Sequence, residues 1–484
     1  MKKFLILLLP LVLLAQVVQD TVIRLPTSNL GKSFFIPELN KLYVAGYDQF
    51  FVLDCSTYQV KAQIPIPRRM LSANYCWNWR RQKLYVTNNP RPDSTLVIDA
   101  AADSVIGWSV VGDEDHWNAY VSDLDRRYKS VGDTLYGFEC AADTVVQRIL
   151  PPVPGYGISY TCWDSVGRKL YLPLAKFQEP SLAVYDYVAD SFTKVIDVSS
   201  IPAWALDALV FSHACRKAYI GPYQPEMGAV NVGIIDTERD TLVGVLPVRI
   251  WSGLYTQVAV NDRDGKVYLA DNDTYSGTPD TLWVVDCYTD SVLRKVEYEH
   301  GGSTYGANVV RWVPWSNRIY LGCYDFDSSK IVVLDCSADS IVEPGLHLGN
   351  QGAVDIQLDP IRERVFIIRA DSNTIHVLRD TGYAGVAEAK PSGPRPVAGL
   401  QLQMTSGGYE VGYSIASPSR VDLRVYDLMG REVRRLVGSD QPAGQHRVVW
   451  DSRNHGGSVV AHGVYFVRLD TPDFSDVKKA VVTR

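Results

Sequence analysis

The residues in this chain best placed by type and spacing to do chemistry are its acidic pairs. Asp99/Asp103, Glu139/Asp143, Asp186/Asp190, Asp236/Asp240, Asp286/Asp290 and Asp335/Asp339 each set two carboxylates four residues apart. Two carboxylates held close can divide general acid and base roles, or ligate a hard cation. Their recurrence argues for a different role. An active site needs its residues once, whereas an acid at a fixed offset in a hairpin repeats because it accepts turn amides. Asp271-x-Asp273 is a further hint of calcium, but it lacks the rest of an EF-hand loop and reads as a polar surface segment. The eight His are scattered without H-E-x-x-H, and neither a G-x-S-x-G elbow nor a C-x-x-C pair occurs. The sequence therefore nominates no catalytic residue, no metal site and no cofactor.

The elements that carry these acids form a repeat. Its core is a basic residue followed by an apolar-aromatic-apolar triplet: Lys41-Leu42-Tyr43-Val44, Lys83-Leu84-Tyr85-Val86, Lys169-Leu170-Tyr171-Leu172, Lys217-Ala218-Tyr219-Ile220, Lys266-Val267-Tyr268-Leu269, Arg318-Ile319-Tyr320-Leu321 and Arg364-Val365-Phe366-Ile367. A degenerate unit, Arg127-Tyr128-Lys129-Ser130-Val131, falls between the second and third of these. The aromatic positions lie 42 to 52 residues apart. That period, carried by strand-like triplets with no 3.6-residue periodicity, belongs to a four-stranded propeller blade. An apolar strand precedes each core, and a third strand ending in the first acid follows it. The second acid opens a fourth strand. The last unit has no fourth strand of its own, while Asp20-Thr21-Val22-Ile23-Arg24-Leu25 resembles one. The N-terminal strand is thus expected to close the ring and remove an open edge. Eight blades are counted; seven is the alternative if the weak third unit or a terminal unit forms none.

Composition agrees with this class. The chain has 484 residues, 46% hydrophobic, with 28 Tyr, 36 Gly and 26 Pro against only 5 Met. That balance favours strands and turns over helices and excludes a disordered chain. A net charge of −6 withholds the basic excess of a general nucleic-acid binder.

At the N-terminus, Lys2-Lys3 precedes an apolar run from Phe4 to Ala15, as in a secretory signal peptide. The run is too short to span a membrane as a helix. Residues 1–19 are read as signal, with cleavage near Ala15, and 20–380 as the propeller. No transmembrane segment is expected in the mature chain. Residues 381–398, rich in Gly and Pro, read as a linker. From 399 to 484 the pattern changes to short alternating strands with 11 bases and 9 acids.

Two resemblances sharpen the reading. The strand Tyr85-Val86-Thr87-Asn88 and the later Leu96-Val97-Ile98-Asp99 resemble the YVTN family of β-propeller repeats, over roughly residues 20–380. The segments from Val421 to Val433, Pro442 to His446, Val449-Trp450-Asp451 and Gly463 to Leu469 resemble the Ig-like domain shared by type IX secretion sorting domains and the flagellar-hook-assembly family. This second resemblance implies export across an outer membrane or display at the cell surface, with the module as address or docking element toward secretion or attachment machinery. A plain structural sandwich is the alternative.

The eight Cys offer one more chemistry. Cys55, Cys140, Cys287 and Cys336 directly follow the third-strand acid, and Cys76 and Cys162 lie 21 and 22 residues beyond the first two of these. The parallel spacing allows inter-blade disulfides Cys55–Cys76 and Cys140–Cys162 in an oxidising compartment. Burial as small apolar side chains is the other reading.

A ligand is expected where the loops entering the innermost strands gather around one mouth of the channel. Those segments carry Arg68, Arg69, His116, Trp117, Tyr156, Trp204, Trp251, Tyr255, His300, Tyr305 and Asn350. Aromatic faces with a few polar groups suit a glycan or an extended peptide; the same aromatics could instead cap the seams between blades. The leading expectation is an exported, surface-associated propeller that binds or scaffolds without chemistry of its own. The rivals are a propeller enzyme, a polysaccharide lyase or hydrolase or a dehydrogenase, with its site at the channel mouth, and a lattice or adhesion protein.

Overall fold

The computed structural model describes residues 17–482, except 67–70, 72–73, 88–93, 111–117, 177–178, 202–204, 207–208, 224–231, 249–256, 272–279, 299–306, 324–328, 350–352, 371, 381–398, 406–407, 416–418, 429–430, 443 and 472–473. The described residues form eight antiparallel blades, seven of four strands and blade 4 of five because its first strand is broken into Gly157–Ile158 and Cys162–Asp164, with a short two-stranded sheet of Ala205–Leu206 and Pro222–Tyr223, followed by a two-sheet sandwich. The helical elements named among them are the 3-10 turns Pro37–Leu39 and Ser122–Leu124.

Blade 1 shows the pattern. Leu30–Ile36, Lys41–Gly46, Gln49–Asp54 and Val60–Pro65 pair in chain order. Blades 2 to 7 follow over 74–110, 118–149, 157–197, 210–246, 258–298 and 307–349. Blade 8 takes three strands from 353–380, and its fourth is Val17–Arg24, which runs antiparallel to Thr374–Asp380 with Val17 opposite Asp380. The ring closes as the sequence indicates. The closing strand starts three residues before the expected boundary at Asp20, and cleavage near Ala15 would leave it whole. Asp20 is held by Arg364 at 2.6 Å and Arg379 at 3.2 Å.

The repeat-core triplets are the second strands, and both their faces are buried. In Lys41-Leu42-Tyr43-Val44, Leu42 packs toward blade 8 and Tyr43 toward blade 2. This explains a near-continuous apolar run where a one-sided sheet would alternate. Unit three forms a full blade despite its degenerate core. Its Arg127 stands where Leu42 and Leu84 stand elsewhere, fully buried, donating to Ser109 Oγ (2.8 Å) and Asn118 Oδ1 (2.6 Å). Its guanidinium also lies 3.9 Å from the Phe138 ring centroid and 4.7 Å from that of Tyr85. Hydrogen bonds and ring faces together offset the desolvation of a buried cation.

The two acids of each hairpin do different jobs. The first accepts turn amides: Asp99 Oδ1 takes the N–H of Ala101 and Ala102, each at 2.9 Å, and Asp186 takes those of Val188 and Ala189, each at 2.8 Å. The second sits in the left-handed region, with φ of 53° at Asp103 and 57° at Asp143. Its carboxylate reaches back to the preceding blade. Lys83 Nζ and the Tyr85 hydroxyl both donate to Asp143 at 2.6 Å. Lys41 and Tyr43 hold Asp103, Lys169 and Tyr171 hold Asp240, and Lys266 and Tyr268 hold Asp339 in the same way. At the 7–8 seam Asp380 takes this place, accepting from Arg318 (2.7 Å) and Tyr320 (2.9 Å). At the closing 8–1 seam both polar partners are absent: Phe366 meets Tyr58 edge-on at 6.3 Å.

The cysteine expectation is corrected by the same geometry. Each third-strand hairpin faces the preceding blade, so Cys140 packs with Cys76 and Tyr85 of blade 2, and Cys55 packs with Phe366 and Ile368 of blade 8. Cys162 turns toward blade 5, where it accepts the Leu209 N–H at 3.3 Å. Neither Cys55–Cys76 nor Cys140–Cys162 forms. The disulfide joins Cys215, in the first turn of blade 5, to Cys287, in the hairpin of blade 6.

The C-terminal sandwich packs a three-stranded sheet (Gly399–Thr405, Gly408–Ile415, Gly444–Trp450) on a four-stranded one (Glu432–Gln441, Ser419–Asp427, Gly463–Thr471, Phe474–Val482). Val411, Val421, Leu423, Val467, Leu469 and the fully buried Trp450 fill the space between them. The Tyr409 hydroxyl bonds the Val481 carbonyl at 2.8 Å and so ties the two sheets together.

Candidate functional site

The channel has two mouths. At the mouth where the sequence places a ligand, Tyr156 is described. It is buried in the seam between blades 3 and 4, and its hydroxyl donates to Glu179 Oε2 at 3.0 Å. Lys176 closes the group, 2.7 Å from Glu179 and 5.3 Å from the Tyr156 ring centroid. One aromatic face, one cation and one acid thus meet where the loops of blade 4 converge. Arg68, Arg69, His116, Trp117, Trp204, Trp251, Tyr255, His300, Tyr305 and Asn350 lie outside the described residues, as does Asp273 of the acidic loop. Among the described residues, no group of three or more His, Cys, Asp or Glu could hold a metal ion.

The opposite mouth is where the first turns of the blades gather, and the sandwich docks there. Its four-stranded sheet alternates. Val421, Leu423, Val425, Val467 and Leu469 point into the sandwich core, which leaves Asp422, Arg424, Tyr426, Phe466 and Arg468 on the other face. That outer face meets the ring. Tyr426 and Phe466 line a crevice with Trp312 and Pro314 of blade 7 and Asp262 of blade 6. The Arg431 guanidinium, paired with Asp427 at 2.6 Å, lies 5.6 Å from the Trp163 ring centroid in blade 4. Lys479 donates to the Pro360 carbonyl of blade 8 at 3.2 Å, while Gly456 and Gly463 come up against Asp123 and Glu38.

Burial at this mouth perturbs several titrations. Burial pushes Glu38 up to about 7, and Asp262 up to about 6 against its hydrogen bonds from Ser212 and His213. Burial, with the cations Arg431 and Arg216 nearby, drives His213 down to about 3. Asp164, wholly buried beneath Arg216 at 3.7 Å, is also raised by burial. These shifts mark carboxyls raised, and an imidazole lowered, by burial where the sandwich meets the ring. Sequence reasoning missed Glu38, Asp164, His213 and Asp262 because each sits in an ordinary-looking turn. The available signal was the alternation of large polar residues with apolar ones along Val421–Tyr426 and Tyr465–Asp470.

Comparison with known proteins supports this architecture. Residues 399–472 match the family of FlgD Ig-like domains. No curated protein matches the chain in sequence. Among solved structures the chain is similar to the dihydro-heme d1 dehydrogenase NirN in complex with DHE, at 14% identity and a TM-score of 0.55, over 89% of this chain and 80% of that one. It is also similar to the Dos1 propeller, at 13% identity and a TM-score of 0.54, over 76% of this chain and 96% of that one. At such identities the likeness is one of fold. The chain is a β-propeller that carries a FlgD Ig-like domain at its C-terminal end.

Proposed function

We propose that this protein is an exported, cell-surface-associated propeller that binds or scaffolds, with its C-terminal module directing secretion or attachment. The observation that carries this reading is the Ig-like match over 399–472, attached to a ring whose recurrent acids are occupied in hairpins and seams. The apolar run at Phe4–Ala15 supports export. Among the described residues, no helix is long and apolar enough to cross a membrane. The ligand of the ring is a glycan or peptide taken at the mouth opposite the docked module. That mouth is the one left to a partner by the docking of the sandwich.

Fractionation of a Gram-negative host with type IX secretion tests the reading. Full-length chain is expected at the cell surface or in the medium. A chain ending at 398 is expected to stay in the periplasm. Retention of both in the cytoplasm, or identical surface delivery of both, would overturn the assignment.

A further inference from the structure

The outer edges of the blades are guarded by charge, with two exceptions. Each blade ends in a fourth strand that pairs only with its third, so its other edge has no strand partner among the described residues. Such an edge is a template for another strand, and charged side chains on it keep other chains off. Lys61 stands on the fourth strand of blade 1, Arg148 on that of blade 3 and Lys194 on that of blade 4. Arg294, Glu343 and Asp20 do the same for blades 6, 7 and 8. The fourth strands of blades 2 and 5 carry no charge: Ser104–Val110 reads Ser-Val-Ile-Gly-Trp-Ser-Val, and Thr241–Leu246 reads Thr-Leu-Val-Gly-Val-Leu. Blade 5 borrows a guard. Lys194 of blade 4 donates to the Arg239 carbonyl at 3.0 Å, which sets its charge at the head of that strand beside the exposed Arg239.

The edge of blade 2 has no such cover. On one side Ser109 Oγ accepts from the buried Arg127 of blade 3 at 2.8 Å, which pins the strand to its neighbour. Away from that bond, Ile106 is 50% and Trp108 41% exposed, with Val105 beside them. Trp108 is the only exposed tryptophan among the described residues. A Cβ built on Gly107 meets no atom within 4 Å, so the middle of the strand stands open. Asp103, just before the strand, is neutralised by Lys41 at 2.8 Å. The bulge opposite Val97 and Ile98 has a counterpart in every other blade, so it gives this edge no protection that the charged edges lack.

We propose that this edge is an interaction surface for a second copy of the chain, the two Ser104–Val110 strands pairing antiparallel about a two-fold axis at Gly107. Self-pairing sets each side chain near its own image, so a charged edge repels itself and an uncharged one does not. The strand is also complementary to itself. Antiparallel pairing about Gly107 puts Ile106 of each copy opposite Trp108 of the other, an aromatic against a β-branched side chain, twice over. Glycine at the axis lets the two backbones approach closely. A two-fold contact closes on itself and gives a dimer, not a filament. It lies on the rim of the ring and uses neither mouth of the channel.

Sedimentation velocity on the full mature chain, from about 1 to about 500 μM, tests the pairing over the range expected of a small interface. A monomer at the low end and a species of twice its mass at the high end are expected. Trp108→Lys and Ile106→Lys each bring two lysines close to the axis and are expected to weaken the dimer about tenfold or more. Val243→Lys, on the edge of blade 5, is expected to leave it unchanged. Thermal midpoints equal to that of the wild type report that these surface variants fold. Under mild copper-catalysed air oxidation, Gly107→Cys is expected to yield a covalent dimer through the introduced thiol, and Val146→Cys, on the exposed edge of blade 3, is not. A wild type that stays monomeric at every concentration would leave the edge to the strand of another protein and overturn the self-pairing. A dimer indifferent to both lysine variants, or one that cross-links equally through Val146→Cys, would overturn it as well.

Discussion

The Tyr85 hydroxyl donates to Asp143 of the next blade at 2.6 Å, and the counterpart hydroxyl of Tyr219 has no hydrogen-bond partner among the described residues. The two tyrosines stand at the same repeat position, both fully buried. Around Tyr219, Lys217 still reaches its acid, Asp290, at 2.6 Å, and the adjacent Cys287 is engaged with Cys215. The same residue type is therefore a fastener in one seam and a buried, unanswered hydroxyl in another.

Removing the two hydroxyls should have opposite consequences. Tyr85→Phe is expected to destabilise the ring by about 1–2 kcal/mol, since it strips a partly buried carboxylate of a donor. Tyr219→Phe is expected to be neutral or mildly stabilising, because an unsatisfied buried hydroxyl is lost with its desolvation cost. Chemical denaturation of both variants, compared at fixed m-value, checks the contrast.

The disulfide between Cys215 and Cys287 closes a 72-residue separation across two blades. Chain entropy alone assigns such a link about 4 kcal/mol. Reduction is expected to lower the thermal midpoint, and Cys215→Ser to reproduce the loss in oxidised protein. Peptide mapping of the non-reduced chain should find Cys215 linked to Cys287 and no link from Cys55 to Cys76 or from Cys140 to Cys162.

Glu38 and His213 should pull stability in opposite directions with pH. Glu38 is raised by burial to about 7, so its contribution is fully present below its ordinary value near 4.5 and is lost as pH rises toward 7. His213 is lowered to about 3, so its contribution is present above its ordinary 6.5 and is lost as pH falls toward 3. Glu38→Gln is therefore expected to raise the thermal midpoint at pH 8 and to leave it nearly unchanged at pH 4.5. Calorimetric scans of both proteins across that range measure the difference; a gain that is larger at pH 4.5 would reverse the assignment.

Docking of the sandwich rests on few groups. Arg431→Ala removes the cation over Trp163, and Phe466→Ser opens the crevice against Trp312 and Pro314. The double variant is expected to keep both bodies folded and to increase the radius of gyration seen by small-angle X-ray scattering. An unchanged radius would mean that other contacts hold the module in place.

The ring was legible in the sequence because its signal is repeated: a basic-apolar-aromatic-apolar core in every blade but the degenerate third, and a tail at Asp20–Leu25 shaped like a missing fourth strand. The hairpin role of Asp99 and its equivalents was legible for the same reason. The inter-blade role of Asp103 and Asp143 was not, since it depends on which neighbouring blade a hairpin faces. Spacing along the chain carries no sign for that direction, and the same ambiguity misdirected the cysteine pairs. The mouth where the sandwich docks was hidden for another reason. Glu38, His213 and Asp262 acquire their chemistry from a second body that packs on them, and a turn read alone looks exposed.

We propose that this ring binds its ligand without transforming it. A glycan and peptide array probed with the purified mature chain, followed by product analysis of every bound ligand, tests it most directly. Specific, saturable binding abolished by Trp117→Ala or Trp204→Ala is expected, with each ligand recovered unchanged. Cleavage, elimination or oxidation of a bound ligand would contradict it.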